Sequence, residues 1–114
     1  MKIETKIKIY LADLVHNYIG AGSYSFPLNI SFIASYAQKF YDELLEIKLF
    51  KYPENLIDAV KKSTPDILGL SCYTWNEDIN RQISEFVKKI KKDIVIICGG
   101  PNIDCNDDGY REFF

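Results

Sequence analysis

One six-residue segment, 71–76, gathers hydroxyl, thiol, carboxamide and aromatic groups directly after a short apolar run at 67–70. The hydroxyls and the carboxamide can fix a ligand by a few hydrogen bonds, and the two aromatic rings offer large apolar planes. This combination predicts a pocket for a large, partly apolar ligand, although Trp75 could instead pack under a following helix. The candidate binding residues in this segment are Ser71, Tyr73, Thr74, Trp75 and Asn76.

A second candidate segment, 99–102, follows the apolar run Ile94–Cys98. Gly99 and Gly100 either let a ligand approach the backbone closely or let the chain turn with positive φ, and Pro101 and Asn102 complete the segment. We expect the two glycines to serve ligand approach rather than folding alone, with a simple turn as the alternative. Ligands of wound parallel sheets bind outside the carboxyl ends of the strands, so both segments should meet at one edge.

The other residues that could carry chemistry form weak motifs. Asp13-x-x-His16 would lie near the same edge, either as a ligand contact or as a solvated loop pair. Gly20-Ala-Gly22-Ser-Tyr-Ser25 matches a dinucleotide-binding loop poorly, because that loop should follow the strand at once and open the helix. Three cysteines without a C-x-x-C pair argue against a disulfide framework or a zinc site. We predict no catalytic residue and no metal ligand, and interpret Cys72 and Cys98 as buried, inert thiols.

Alternating strands and helices must position these segments. Apolar periodicity predicts strands at 6–13, 44–50, 67–71 and 94–98, and helices at 27–40, 53–63 and 77–90. A βαβαβαβ pattern with right-handed crossovers predicts an α/β fold, a flavodoxin-like (Rossmann-like) wound parallel sheet of order 2-1-3-4. A fifth strand is missing, so we expect residues 1–114 to be a single domain, a fragment truncated before that strand.

Three local expectations accompany this topology. The unbroken apolar run of the fourth strand predicts burial on both of its faces. Thr74-x-x-Glu77 fits a capping box for the third helix, with Asn76 as a rival N-cap. In the first helix, apolar residues recur at helical spacing and predict one apolar face: Leu28, Phe32, Ile33, Tyr36, Ala37 and Phe40.

The composition limits the classes of partner. Fourteen basic and sixteen acidic side chains give a net charge of −2, and no face concentrates lysine and arginine, which argues against nucleic acid. The lysines at 88–92 end a helix, where the helix dipole favours positive charge. No apolar run reaches the roughly 18 residues of a membrane span, and no signal peptide is visible. We therefore expect a cytoplasmic protein without a membrane partner.

Three segments resemble the amino-terminal cobalamin-binding domain of radical SAM enzymes. That family has a proline-started helix, a D-x-x-G-x-S-x-x-T-x-N third strand and a G-G-P turn after the fourth strand. The resemblance covers about residues 6–110, and its second and third segments together are fairly specific. The segments are Phe26-Pro-Leu-Asn-Ile-Ser-Phe-Ile-Ala-Ser-Tyr-Ala37, Asp66-Ile-Leu-Gly-Leu-Ser-Cys-Tyr-Thr-Trp-Asn76 and Ile96-Ile-Cys-Gly-Gly-Pro-Asn102.

The resemblance implies a domain that binds cobalamin, with the nucleotide tail near the ends of the third and fourth strands. The residues that match the third-strand motif are Ser71, Thr74 and Asn76, and those that match the tail-accommodating turn are Gly99, Gly100 and Pro101. The chain would position the corrinoid for radical, methyl-transfer-type chemistry performed elsewhere in a parent enzyme.

Two departures from related patterns qualify this expectation. The D-x-H-x-x-G motif of cobalamin mutases is absent, since Asp13-x-x-His16-x-x-x-Gly20 has a different spacing. The C-x-x-x-C-x-x-C motif is also absent, so we expect no iron–sulfur cluster in this chain and no activity from it alone. A flavin- or nucleotide-binding module of the same fold is the alternative. A receiver-like regulatory domain would need an acidic cluster at the end of the first strand and a lysine after a fifth strand. Asp13 stands alone at that position, and no such lysine is present.

The predicted topology leaves the fourth strand at the edge of the sheet. Exposed, flat, apolar edges pair with other chains. We therefore expect self-association through residues 94–114, with Tyr110, Phe113 and Phe114 in the same contact.

Overall fold

The computed structural model describes residues 6–15, 28–73 and 75–100. The predicted strands and helices are confirmed, with ends that coincide or shift by one residue. In chain order they are β1 (Ile7–Ala12), α1 (Leu28–Tyr41), β2 (Leu45–Phe50), α2 (Pro53–Lys62), β3 (Ile67–Ser71), α3 (Glu77–Ile90) and β4 (Val95–Gly99). None of the helices in these ranges is long and apolar enough to cross a membrane.

The four strands form one parallel sheet in the order β2-β1-β3-β4. Tyr10 lies opposite both Lys48 and Leu68, and Ser71 lies opposite Gly99. The predicted order 2-1-3-4 and the flavodoxin-like α/β fold are therefore confirmed. Because every pair is parallel, the segments after β3 and β4 leave the sheet at the same edge.

One face of the sheet is covered by α2 and α3 and holds the larger core. Leu56 and Val60 of α2 and Val87 of α3 are buried there at helical spacing. Tyr10 reaches through this layer, and its hydroxyl donates to the Ser63 carbonyl at 2.8 Å. Residues of β1 and β3, and the residue that follows β3, also belong to this core: Ala12, Leu68, Leu70 and Cys72.

The opposite face is covered over only part of its width. There Ile30 and Ala34 of α1 pack against Leu11 of β1, with Ile9 and Ile47 beside them. Among the described residues, no helix covers the β3 and β4 half of this face. This uneven cover leaves a groove between α1 and the uncovered half of the sheet.

The apolar face predicted for α1 is not the face that packs on the sheet. Phe32, Ile33, Tyr36 and Phe40 are exposed, and the buried residues are Ile30 and Ala34. The helix carries apolar residues on two overlapping stripes, so sequence periodicity does not choose between them. Ala34 is small and lets the helix backbone approach the sheet, which favours the second stripe.

The prediction that β4 is buried on both faces is wrong. Ile96 and Cys98 pack against the larger core, whereas Val95 is 52% and Ile97 is 55% exposed. The reason is that α3 covers one face of β4, while the other face lies on the uncovered half of the sheet. A strand whose residues are all apolar can therefore have one face packed on the core and the other face exposed.

The amino-terminal edge of the sheet is tied together by Asp66. Its carboxylate accepts from the Lys8 backbone N–H at 2.9 Å and from the Lys91 ammonium at 3.0 Å. These donors, the Lys8 backbone first, lower the pKa of Asp66 below its usual 3.8. The start of β3 is thereby connected to β1 and to the end of α3.

Candidate functional site

A groove of about 580 Å³ lies between α1 and the uncovered half of the sheet. Its floor is formed by Leu11 of β1, Gly69 of β3 and Ile97 of β4, and its wall by Phe32 and Ile33 of α1. The volume lies within the range of small-molecule sites, whose walls are mostly apolar. The exposed apolar side chains of α1 and β4 thus belong to one continuous concave surface.

Gly69 deepens the floor of this groove. A Cβ at this position would lie 2.6 Å from Cδ2 of Leu11, so any side chain here would displace Leu11 or enter the groove. Sequence analysis did not select Gly69 as a site residue. The available signal was a glycine inside an apolar strand, which often marks a close approach to the backbone.

The groove ends at the carboxyl edge of the sheet, between Ser71 and the two glycines after the apolar run of β4. Ser71, Gly99 and Gly100 all line it. A Cβ at Gly99 would meet no atom within 4 Å, so the space beside Gly99 is open to a ligand. The structure therefore brings three of the predicted binding residues to one end of one groove.

Gly100 has a different role from Gly99. Its φ is +111°, and a Cβ there would lie 2.7 Å from the carbonyl oxygen of Cys72. Both the positive φ and the contact with backbone require glycine for the fold itself. The turn itself therefore needs glycine at position 100, as in the simple-turn alternative, and a part of Gly100 in ligand approach stays a prediction.

Tyr73 and Trp75 form a stacked aromatic pair beside the mouth of the groove. Their ring centroids are 4.4 Å apart with an interplanar angle of 6°. The Asn29 side-chain amide donates to the Tyr73 hydroxyl at 2.7 Å and connects the pair to the first turn of α1. Trp75 is 56% exposed, so it does not pack under α3 but presents an apolar plane to solvent.

Asn76 lies in the interior rather than on the groove. Its side-chain amide donates to the carbonyls of Ser71 at 2.9 Å and Leu14 at 3.0 Å, and its Oδ1 accepts from the Tyr73 N–H at 2.8 Å. Asn76 is the N-cap residue of α3 but makes no capping bond with its side chain. Of the predicted binding residues, Thr74, Pro101 and Asn102 fall outside the described ranges, as do His16 and the segment 20–25.

The two described cysteines lie on the face of the sheet away from the groove. Cys72 is buried and Cys98 half-buried, both among the residues of the larger core. Hydrogen bonding between the two thiols lowers the pKa of Cys72 and raises that of Cys98. No cluster of metal-ligating side chains occurs in 6–15, 28–73 or 75–100. The thiols are placed for packing rather than for contact with a groove ligand.

No charged side chain is among the described residues that line the groove. Asp13 follows β1, and burial raises the pKa of its carboxyl against the opposing attraction of Lys51. Ser71, Asn29 and the backbone beside Gly99 supply the polar groups at the end of the groove. A large apolar surface with a few convergent polar groups suits a bulky cofactor better than a small charged ligand.

A parallel 2-1-3-4 sheet with an apolar groove that opens at its glycine-bearing carboxyl edge defines a cofactor-binding module of flavodoxin-like fold. Residues 18–111 match the family described as the B12 binding domain, and the chain belongs to that family. The cofactor of this family is cobalamin. The groove, which has no side chain at Gly69 or Gly99, leaves space for part of such a molecule, and the exposed aromatic pair offers an apolar plane to it.

Two curated relatives are methyltransferases by name, and the first is also named as a radical SAM enzyme. The cobalamin-dependent radical SAM methyltransferase TokK of Streptomyces tokunonensis is 29% identical over 93 residues, which are 75% of this chain and 13% of that protein. The 2-(S-pantetheinyl)-carbapenam-3-carboxylate methyltransferase of Streptantibioticus cattleyicolor is 32% identical over 59 residues, which are 47% of this chain and 9% of that protein. The similarity therefore spans a small part of each relative.

A solved structure shares the fold. A cobalamin-binding protein from Desulfitobacterium hafniense superposes with a TM-score of 0.61 at 24% sequence identity. The match covers 90% of this chain and 48% of that one. The described helices and strands therefore correspond to an arrangement already observed in a crystal.

Proposed function

We propose that this chain is a cobalamin-holding module that places the corrinoid for methyl-transfer chemistry carried out by another part of a longer radical SAM protein. The family match and the two methyltransferase relatives support the cofactor and the class of chemistry. Cobalamin supplies the group-transfer chemistry when bound, and the protein supplies binding and orientation. The sequence has no C-x-x-x-C-x-x-C motif, so the cluster that cleaves SAM would come from outside these 114 residues.

The observation that carries this proposal is the groove that ends beside Gly99. It is deep because β3 has no side chain at Gly69, and it is open because nothing lies within 4 Å of the Cβ position of Gly99. An apolar groove of about 580 Å³ suits the nucleotide tail, which is the slimmer part of cobalamin. The Ser71 hydroxyl at its end would fix the tail by a hydrogen bond.

The stacked pair of Tyr73 and Trp75 would contact the corrinoid at the mouth of the groove. The pair presents an exposed apolar plane that is already ordered by stacking and by Asn29. An ordered plane loses little conformational entropy when a flat ligand covers it. These two side chains would therefore set the position of the macrocycle, while the groove anchors its tail.

Trp75 provides a direct test, since it is the single tryptophan of the chain. Titration of the purified protein with hydroxocobalamin should quench its fluorescence with saturation, beyond the inner-filter loss of free N-acetyltryptophanamide. Cobalamin absorbance should also remain with the protein after desalting. If flavin mononucleotide co-elutes and quenches while hydroxocobalamin does neither, the flavin-binding alternative replaces this proposal.

A further inference from the structure

A pair of buried asparagines lies behind the aromatic pair, at the start of α3. Asn76 and Asn80 are four residues apart, on one face of the helix, and both are fully buried. Buried carboxamides require partners for four hydrogen-bonding positions, so their contacts show what they hold. Neither side chain lines the groove among the described residues.

The Asn76 amide connects three points of the backbone. Its Nδ2 donates to the carbonyls of Leu14, after β1, and Ser71, at the end of β3. Its Oδ1 accepts from the Tyr73 N–H at 2.8 Å. Tyr73 is thereby held at its backbone by Asn76 and at its hydroxyl by Asn29, and Trp75 is stacked on the ring between these two restraints.

Asn80 fixes the orientation of Asn76. Its Nδ2 lies 3.3 Å from Asn76 Oδ1 and 3.1 Å from the Ser71 carbonyl, and it also reaches the Cys72 sulfur at 3.4 Å. Because Asn80 Nδ2 is a hydrogen-bond donor, Asn76 must turn its side-chain oxygen, and not its NH₂ group, towards Asn80. That orientation is the one in which Asn76 can accept from Tyr73.

The side-chain oxygen of Asn80 indicates that stability alone does not explain an asparagine at this position. Its Oδ1 is buried and has no hydrogen-bond partner among the described residues. An unsatisfied buried carbonyl is unfavourable, and an apolar side chain of similar shape would avoid it. Residues that break a local rule in this way are expected where a site must be held in place.

We propose that Asn76 and Asn80 are positioning residues of the cobalamin site. Asn80 orients the Asn76 amide, and Asn76 holds the Tyr73 backbone so that the stacked Tyr73–Trp75 plane faces the mouth of the groove. The expected effect of the two asparagines on cobalamin affinity rests on the proposed function. Their expected effect on the Tyr73–Trp75 pair does not require a bound cofactor.

The test compares Asn76→Ala and Asn80→Leu with the control Asn55→Ala, which alters an exposed asparagine of α2. In the cofactor-free full chain, both variants should lose most of the near-ultraviolet circular dichroism of the stacked pair. Their hydroxocobalamin Kd should rise by about tenfold, the factor that corresponds to the net free energy of one hydrogen bond. Asn55→Ala should change neither reading.

Stability separates a positioning role from a merely structural one. Asn80→Leu keeps the branched shape of the side chain and removes the orphan oxygen, so its melting temperature should stay near that of the wild type while the aromatic signal changes. A folded Asn80→Leu protein with unchanged aromatic signal and unchanged Kd overturns the proposal, even if Asn76→Ala fails to fold. If the wild type does not bind hydroxocobalamin, the proposed function fails, and the cofactor-free spectra still decide the role of the asparagines.

Discussion

Gly99 and Gly100 are neighbours in the chain with opposite structural requirements. Gly99 has free space around its Cβ position, whereas Gly100 has a φ of +111° and backbone atoms of Cys72 against it. Gly100→Ala should therefore lower the free energy of unfolding by about 1 to 3 kcal/mol. Gly99→Ala is the matched control and should unfold at nearly the wild-type urea concentration. Equal destabilisation of both variants would contradict the assignment.

Gly69 and Gly99, which line the groove, differ from Gly100 in the property that their replacement should change. Gly69→Val would fill the floor beside Leu11, and Gly99→Val would fill the space at the groove end. Each variant should bind hydroxocobalamin at least about tenfold more weakly, because the groove loses volume that the ligand needs. Gly69→Ala should have a smaller effect, since the flexible end of Leu11 can move. Unchanged affinity in a folded Gly69→Val protein would remove the groove from the site.

At the level of elements, the sheet is held at its two ends by different interactions. Asn76 joins the ends of β1 and β3 at the carboxyl edge, and Asp66 joins β1, β3 and the end of α3 at the amino edge. The first connection belongs to the site, and the second is remote from it. Substitution of Asp66 should therefore alter stability and leave cobalamin affinity unchanged.

The pH dependence of the Asp66 contribution follows from its lowered pKa. The Lys8 N–H and the Lys91 ammonium favour the ionised carboxylate, so its stabilisation is complete above pH 3.8 and is lost as the pH falls through the lower folded pKa. Asp66→Ala should lower the free energy of unfolding by about 0.5 to 1 kcal/mol at neutral pH. The difference from wild type should shrink below pH 3.8. A stability difference between Asp66→Ala and wild type that stays constant from neutral pH down to pH 3 would contradict this assignment.

At the level of the whole molecule, an apolar surface runs from the outer face of α1 to the edge strand β4. Phe32 and Ile33 contribute from α1, and Val95 and Ile97 contribute from β4. Scattered exposed apolar residues need no explanation, but a contiguous surface of this kind marks an interaction site. In a longer protein, other parts of the chain could cover it.

The expectation of self-association through residues 94–114 remains a prediction. The described part of that segment presents an apolar edge strand with two exposed side chains, Val95 and Ile97. Light scattering at micromolar concentration should give a mass above the 13.2 kDa of one chain and a decrease on dilution. The double substitution Val95→Lys and Ile97→Lys should shift the protein towards the monomer.

A second variant tells the edge strand apart from the helix surface. Tyr36→Lys places one positive charge on an exposed residue of α1 that does not line the groove. If Tyr36→Lys dissociates the protein and the β4 variant does not, the contact belongs to α1. A wild-type protein that stays monomeric at every concentration contradicts self-association altogether.

The sequence by itself determined the order of the elements, the topology of the sheet and the edge at which the candidate segments after β3 and β4 lie. These depend on local periodicity, on turn residues such as Pro65 and Gly100, and on the handedness of crossovers, all of which act over short stretches of chain. The same information placed Ser71 and Gly99 at one edge, and it allowed the family to be recognised from three motifs.

Only the tertiary structure decided which of these groups line the groove. Asn76 is turned inward because the carbonyl of Leu14, 62 residues away, accepts from its side-chain amide, and Gly69 forms part of the groove floor beside Leu11 of another strand. The face of α1 was likewise chosen by the sheet, which admits Ala34 more closely than an aromatic ring. Each outcome depends on contacts between residues distant in sequence, where packing and hydrogen-bond partners override what a local pattern can specify.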